Sequence, residues 1–207
     1  MTTKQITNIQ EKYFQLLQRQ NSSANKLDYS IVETHKPNLQ QLADLGNSVI
    51  SVFDVFQKKH VFNSSNWGTI LGYTYQDIEN EDDYFLDSKI HPDDFLLLLQ
   101  NALSIIKLFF KFSTNEKLEH KLVSEYRILN AENNYVRVIE QHQVLELDTK
   151  GNLWLSLSIL DISPNQKNMD DGLKYLPKRN GVMISIVLEY IDNGLVEAIH
   201  RAIVFGL

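Results

Sequence analysis

Four residues of this chain have the types that acid–base chemistry needs: His91, Asp93, Glu140 and His142. A histidine and a carboxylate that face one pocket can take and return a proton near neutral pH. His91 and Asp93 stand together in the string His91-Pro92-Asp93-Asp94, and Glu140 and His142 lie two residues apart in a long apolar stretch. Neither pair has a nucleophile beside it in the sequence, so a covalent mechanism has no starting group. The six histidines show no metal-ligand spacing such as two on one helical turn. Haem asks for an axial ligand such as histidine, and the helix that follows His91 contains none. His60, His120 and His142 fall on strands or loops, where a hydrogen-bonded or surface histidine is the plainer reading. The acidic loop Asn80–Asp83 lacks the glycine and closing glutamate of a calcium loop. No metal and no cofactor is predicted, and a small organic ligand stays open.

Composition removes further classes. The formal net charge is -6 and the strongest basic run is Lys178-Arg179, next to Lys174. Nucleic acid needs a clustered positive surface, so direct nucleic-acid binding by this chain is not expected. Cysteine is absent. That excludes disulfides, thiolate metal sites and a cysteine photoadduct, and it suits a reducing, cytoplasmic setting. The N-terminus reads into a polar helix with no secretory pattern, and no apolar run reaches the ~18 residues of a membrane span.

The elements that would position these residues are legible from periodicity. Ile6, Ile9, Tyr13, Leu16 and Leu17 fall at helical spacing over Ile6–Leu17, and Asn21–Asn25 breaks that pattern as a polar linker. Pro37 suits a first helical position, with Leu39, Leu42, Ala43 and Leu45 as the apolar face and Gly46 as the stop. Ser48–Phe56 and His60–Asn63 read as strands around the turn Gln57-Lys58-Lys59. Short helical turns follow between Ser64 and Leu71, ended by Gly72, and Thr74-Tyr75-Gln76-Asp77 reads as a cap and first turn.

His91-Pro92-Asp93-Asp94 also has a purely structural explanation. Proline pre-sets the first helical turn, and carboxylates there meet unsatisfied amides and the helix dipole. The helix it opens is apolar almost all round from Phe95 to Phe112. Its polar residues Gln100, Ser104, Lys107 and Lys111 form one thin stripe, widened by Asn101. Such a helix is covered on several sides.

Three strands then follow with no helix between them: Lys121–Ala131, Tyr135–Asp148 and Asn152–Ile162. Short turns at Asn133-Asn134 and Thr149–Asn152 require antiparallel pairing. Along the second strand, Val136, Val138, Glu140, His142 and Val144 alternate with Tyr135, Ile139, Leu145 and Leu147. Neither face of the sheet is consistently polar, so both are partly covered.

This order of elements, with several local strings, resembles a PAS domain. The strings are His60-Val61-Phe62-Asn63-Ser64-Ser65 leading to Leu71-Gly72-Tyr73-Thr74, then His91-Pro92-Asp93-Asp94, Glu125-Tyr126-Arg127-Ile128, Tyr135-Val136-Arg137-Val138 and Leu160-Asp161-Ile162-Ser163. The resemblance covers roughly Leu45 to Pro164 and extends to the sensory half of bacterial regulators that carry a LuxR-type DNA-binding domain. No helix-turn-helix is legible after Pro164. There, Gly181–Ile191 reads as a strand and Leu195–Val204 as a short helix.

The resemblance implies an α+β fold. It consists of a PAS-like five-stranded antiparallel sheet, first strand beside last, with the long helix and short helices on one face and an N-terminal helical extension. The domains are then residues 1–43, the extension; 44–164, the sensory domain; and 165–207, a tail. It also implies a non-catalytic sensory or interaction module in signal transduction or transcription regulation. A ligand between the long helix and the sheet and a solid, ligand-free core both stay open. The alternatives are an enzyme using His91, Asp93, Glu140 and His142, and a ligand-free dimerisation scaffold. The N-terminal stripe is too short to be stable alone. Ile9, Tyr13, Leu16 and Leu17 are therefore expected to dock on the outer face of the sheet and to share a homodimer contact there. A regulatory protein is a second candidate partner.

Overall fold

The computed structural model describes residues 3–18, 27–46, 48–79, 85–166 and 174–175. The chain forms α1 (Thr3–Gln18), α2 (Ser30–Gly46), β1 (Val49–Asp54), β2 (Lys59–Asn63), α3 (Trp67–Leu71), α4 (Tyr75–Glu79) and α5 (Phe85–Lys89). These are followed by α6 (Pro92–Phe109), α7 (Thr114–Glu119), β3 (Lys121–Leu129), β4 (Tyr135–Leu147), β5 (Leu153–Ile162) and β6 (Lys174–Tyr175). The strand order is β2-β1-β5-β4-β3-β6, and every pairing is antiparallel. The first strand lies beside the fifth, as expected. The sheet is therefore the anticipated PAS-like five-stranded one, with a two-residue strand from the tail added at the β3 edge.

Local chemistry explains the boundaries. Gly72 ends α3 at φ 77°, a left-handed backbone that a side chain would strain. Thr74 and Asp77 cap α4 reciprocally, the Thr74 amide and hydroxyl each donating to Asp77 Oδ2 at 2.7 Å. Asn133 takes φ 60° in the β3–β4 turn. Gly151, at φ 77°, turns β4 into β5 close under Thr114, whose Oγ1 would lie 2.8 Å from an added Cβ.

Register divides the sheet into two faces. Val49, Tyr126, Ile128, Val138 and Leu160 share one face and pack with Trp67, Leu71 and Tyr73 from the short helical segment. Ile50, Val52 and Leu155 belong to the other, which α2 covers with Val32, Leu39 and Ala43. Both faces are thus buried, which is why neither alternates cleanly with polar residues.

Several expectations need correction. Pro37 is not the start of its helix: α2 begins at Ser30, and Pro37 lies inside it. The carbonyl of Glu33 thereby loses its intrahelical donor, and the buried stripe Val32, Leu39 and Ala43 offsets that loss. The N-terminal helix does not dock on the outer sheet face, because α2 already occupies it. Instead Leu17 is buried with Val55 and Ile106, and Tyr13, Phe14, Leu16, Phe53 and Leu153 pack around them. The long helix stops at Phe109, and α7 follows as a separate element. It opens with a capping box in which Ser113 and Glu116 bond each other's amides. The acidic loop Asn80–Asp83, the strand over Gly181–Ile191 and the helix over Leu195–Val204 lie outside the described residues.

Candidate functional site

Antiparallel register brings one polar cluster together under α6. Tyr126, Glu140, His142 and Ser158 alternate into the helix-covered face, because Ser124 pairs with Glu140, Tyr126 with Val138, and His142 with Ser158. The Tyr126 hydroxyl donates to Glu140 Oε2 at 2.8 Å and the Ser158 hydroxyl to Oε1 at 2.5 Å. His142 Nε2 lies 3.2 Å from Oε2.

Burial alone would raise the Glu140 carboxyl, but the His142 charge and these hydrogen bonds outweigh it and hold it at about 2. Burial pushes the His142 imidazole down, and Glu140 more than restores it, so His142 keeps its proton above the ordinary histidine range. Burial drives the Tyr126 hydroxyl far up, reinforced by the charge of Glu140 and, more weakly, of Asp87.

Asp87 lies on α5 with its side chain exposed to solvent. Its neighbours Phe85, Leu86 and Ile90 pack against the inner core that contains Tyr126. Burial, then the charge of Glu140, raises its carboxyl to about 6. Burial of Tyr13 on α1, then the charge of Asp87, lifts its hydroxyl to about 12.

His142 and Glu140 keep 37% and 19% of their side-chain surface. The retained surface of His142 leaves this polar recess of the sheet face open to solvent. α6 forms its roof. Asp94 near the start of α6 holds Arg127, and Phe112 beyond its end stacks on His120. Leu98, one helical turn before Asn101, packs on the inner core. Asn101 is 6% exposed, and its Nδ2 has no hydrogen-bond partner. This corrects its assignment to the outer polar stripe.

The structure does not assemble the four acid–base candidates into one site. Glu140 and His142 meet in the recess. His91 caps α6, accepting from the Asp93 amide at 3.3 Å, and packs edge-on against Tyr135. Tyr135 is five residues from Glu140 along β4, about 17 Å at strand rise. Asp93 is 86% exposed and 3.8 Å from His91, so that pair is a helix cap. Asp94 is the structural carboxylate, accepting from the Arg127 amide and Nε at 2.8 Å and from Nη2 at 2.7 Å.

Of the expected interaction residues, Leu17 is buried and Tyr13 and Leu16 are half-buried against α6 and the sheet end. The side chain of Ile9 lies outside the described ones. Among the described residues no three His, Asp or Glu side chains converge as a metal site. His120 is buried, with Nδ1 2.7 Å from the Glu116 carbonyl. Sequence reasoning missed Asp87 and Asn101. Asn101 carried a signal, an amide three residues after Leu98 on a helix covered all round. Asp87 carried none: it is an exposed residue of a short helix, and only the fold brings its charge to bear on Glu140.

No protein-family model and no curated protein matches the sequence. Solved structures do resemble it. A sensory box histidine kinase/response regulator from Burkholderia thailandensis is similar at TM-score 0.44 and 16% identity, over 62% of this chain and 86% of that one. The N-terminal domain of a diguanylate cyclase with PAS/PAC sensor from Marinobacter aquaeolei gives 0.38 and 14%, over 56% and 94%. The PAS-B domain of Drosophila melanogaster Cycle, with bound ethylene glycol, gives 0.40 and 15%, over 56% and 99%. Likenesses of this strength bear on no ligand or activity. The fold itself rests on the strand order described above.

Proposed function

We propose that the chain is a PAS-type sensory and interaction module whose recess under α6 receives the signal and whose helix α1 reports it. It serves bacterial signal transduction or transcription regulation without catalysing a reaction. One observation carries this reading: α1 buries Leu17 against Ile106 of α6, the helix over the recess. A change of charge or occupancy there acts directly on the docking of α1.

A second reading, an acid–base enzyme, is favoured by the contact of His142 with Glu140. Its chemistry is unfavourable. Glu140 already accepts from three groups and stays ionised down to about pH 2, which makes it a weak base. No nucleophile is activated beside it.

The module acts as a homodimer in this proposal, through α1 and neighbouring apolar surface such as Leu97 and Phe110, 37% and 40% exposed. A regulatory protein is the alternative partner. The net charge of -6 supports an output that does not bind DNA through this chain. No described helix is long and apolar enough to cross a membrane, and the absence of cysteine supports a cytoplasmic setting. The small molecule is an organic ligand, with no metal or haem.

Hydrogen exchange tests the coupling. Glu140→Leu leaves Tyr126, Ser158 and His142 without their shared acceptor and loosens the recess. Exchange along Thr3–Gln18 should then accelerate tenfold or more, while α2, on the opposite sheet face, changes less than twofold. Equal acceleration of both helices, or none in α1, contradicts the proposal.

A further inference from the structure

On the sheet face that carries Glu140, a row of polar side chains crosses four strands. Asn63 of β2 pairs with Ser51 of β1, Ser51 with Ser158 of β5, and Ser158 with His142 of β4. Paired residues of an antiparallel sheet share a face, with their Cβ atoms about 5 Å apart. Ser51 lies two residues from Val49, so the row belongs to the inner face. The chain neighbours of Ser51 that point to the other face, Ile50 and Val52, are buried among apolar groups. Ser51 and Ser158 are each 6% exposed. Polar groups buried in such a row are costly unless each finds a partner.

One half of the row is satisfied and the other is not. Glu140 accepts from Ser158 at 2.5 Å and lies 3.2 Å from His142. The Tyr126 hydroxyl also donates to Glu140, so this half holds no free charge for a ligand. At the β2 end, Asn63 Oδ1 is buried and accepts no hydrogen bond among the described residues. A second, independent observation comes from the next row. Val49 pairs with Leu160, and both belong to the inner core that holds Trp67. Trp67 is 5% exposed, and its Nε1 has no acceptor among the described residues. A buried acceptor and a buried donor are thus left open along the inner face of β1, where Ser51 adds a hydroxyl that can both donate and accept.

None of these three groups carries charge. An ion would lose its hydration there and find no counter-ion. Among the described residues no three His, Asp or Glu side chains converge to hold a metal. A hydroxyl group fits, because it can donate to Asn63 Oδ1 and accept from Trp67 Nε1, and a second one can pair with Ser51. Leu71 packs in the same cluster as Trp67 and supplies apolar cover for a carbon chain. From Asn63 to Ser158 is two strand spacings, about 10 Å, the span of a short polyhydroxylated chain. Resting on the reading of this recess as a ligand site, we propose that it binds a small uncharged polyol whose hydroxyls pair with Asn63 Oδ1, Ser51 Oγ and Trp67 Nε1. His142, 37% exposed, marks where the row opens to solvent.

The chain has two tryptophans, and Trp67 and Trp154 pack on opposite faces of the sheet. The two indole N–H resonances of the full chain, assigned with Trp154→Phe, therefore report on the two faces. The probes are xylitol, 1-pentanol and xylonate. Xylitol should shift the Trp67 resonance saturably and leave that of Trp154 in place. 1-Pentanol, with one hydroxyl, and xylonate, with a carboxylate, should each bind about tenfold more weakly or worse. Asn63→Leu and Ser51→Ala should each weaken xylitol by about tenfold. Circular dichroism checks that both variants fold, and Ser51→Ala, the smaller change, decides alone if Asn63→Leu does not. No saturable shift of Trp67 with xylitol, an equal shift of Trp154, binding of 1-pentanol or xylonate as tight as that of xylitol, or unchanged affinity in a folded variant overturns the proposal. The sensory reading is judged separately, by the exchange of α1 in Glu140→Leu with no ligand present, so the two fail independently.

Discussion

Replacing Asp87 with asparagine should stabilise the protein at pH 8 and leave it unchanged at pH 4. The folded chain raises this carboxyl from 3.8 to about 6. A group raised on folding gives its full contribution below its unfolded value and loses it as pH rises through the folded value. The loss therefore falls between pH 4 and pH 7. Two units correspond to ~3 kcal/mol in a dry site. Asp87 keeps substantial accessible surface, and screening brings the figure to about 1 kcal/mol. Asparagine has no charge to desolvate and so escapes the loss. Urea unfolding of both proteins at pH 4 and pH 8 measures it, because Glu140, Asp94 and His142 titrate in both and cancel in the difference. A variant advantage of about 1 kcal/mol that appears only at pH 8 agrees with a desolvated Asp87. An advantage that is the same at both pH values, or absent at both, refutes it.

Other expectations follow from the same geometry. His142, followed by nuclear resonance, should titrate above the ordinary histidine range and fall back toward it in Glu140→Gln; no difference between the two proteins would break the assigned contact. Trp154, 6% exposed and edge-on to Tyr29 at 5.4 Å, should cost about 3–5 kcal/mol on truncation to alanine. Phe109→Ala should cost clearly less, because Phe109 is only half-buried; equal losses in chemical denaturation would misplace α6. Asp94→Ala should cost about 2 kcal/mol by leaving Arg127 without its charged partner. The wild-type advantage should vanish as pH falls below the usual carboxylate range, since Arg127 holds Asp94 low against the effect of burial. Deleting residues 1–20 should weaken dimerisation in sedimentation; an unchanged monomer with and without the segment would remove the dimer.

Much of this fold was legible because its signals are local. β3, β4 and β5 match the expected strands to within two residues at each end, since Asn133 and Gly151 turn the chain where left-handed backbone is needed. His91-Pro92 fixed the start of α6. The capping box of Ser113 and Glu116 was equally present in the sequence, and overlooking it ran the long helix past Phe109. α2 was misread because Pro37 is common at helix starts, and only the burial of Val32 shows the extra turns. The docking of α1 depends on which sheet face is already covered, which one sequence does not encode locally.

The site divides in the same way. Glu140 and His142 interrupt an apolar alternation on β4, so their shared face was readable. Their partners Tyr126 and Ser158 required the register of three strands. Asp87 sits on a five-residue helix whose orientation is purely tertiary, so the effect of its charge on Glu140 and Tyr13 has no trace in the pattern.

The central claim is that the state of the recess governs how α1 is held. The absence of cysteine makes it directly measurable, because Lys12→Cys and Lys107→Cys give two unique, exposed positions for spin labels on α1 and α6. Pulsed electron–electron resonance then reads the distance between the helices at pH 5 and pH 8. A narrow distribution at pH 5 should broaden or shift at pH 8 as Asp87 ionises, and Asp87→Asn should keep the narrow one at both. Identical distributions at the two pH values in the wild-type background would contradict the account.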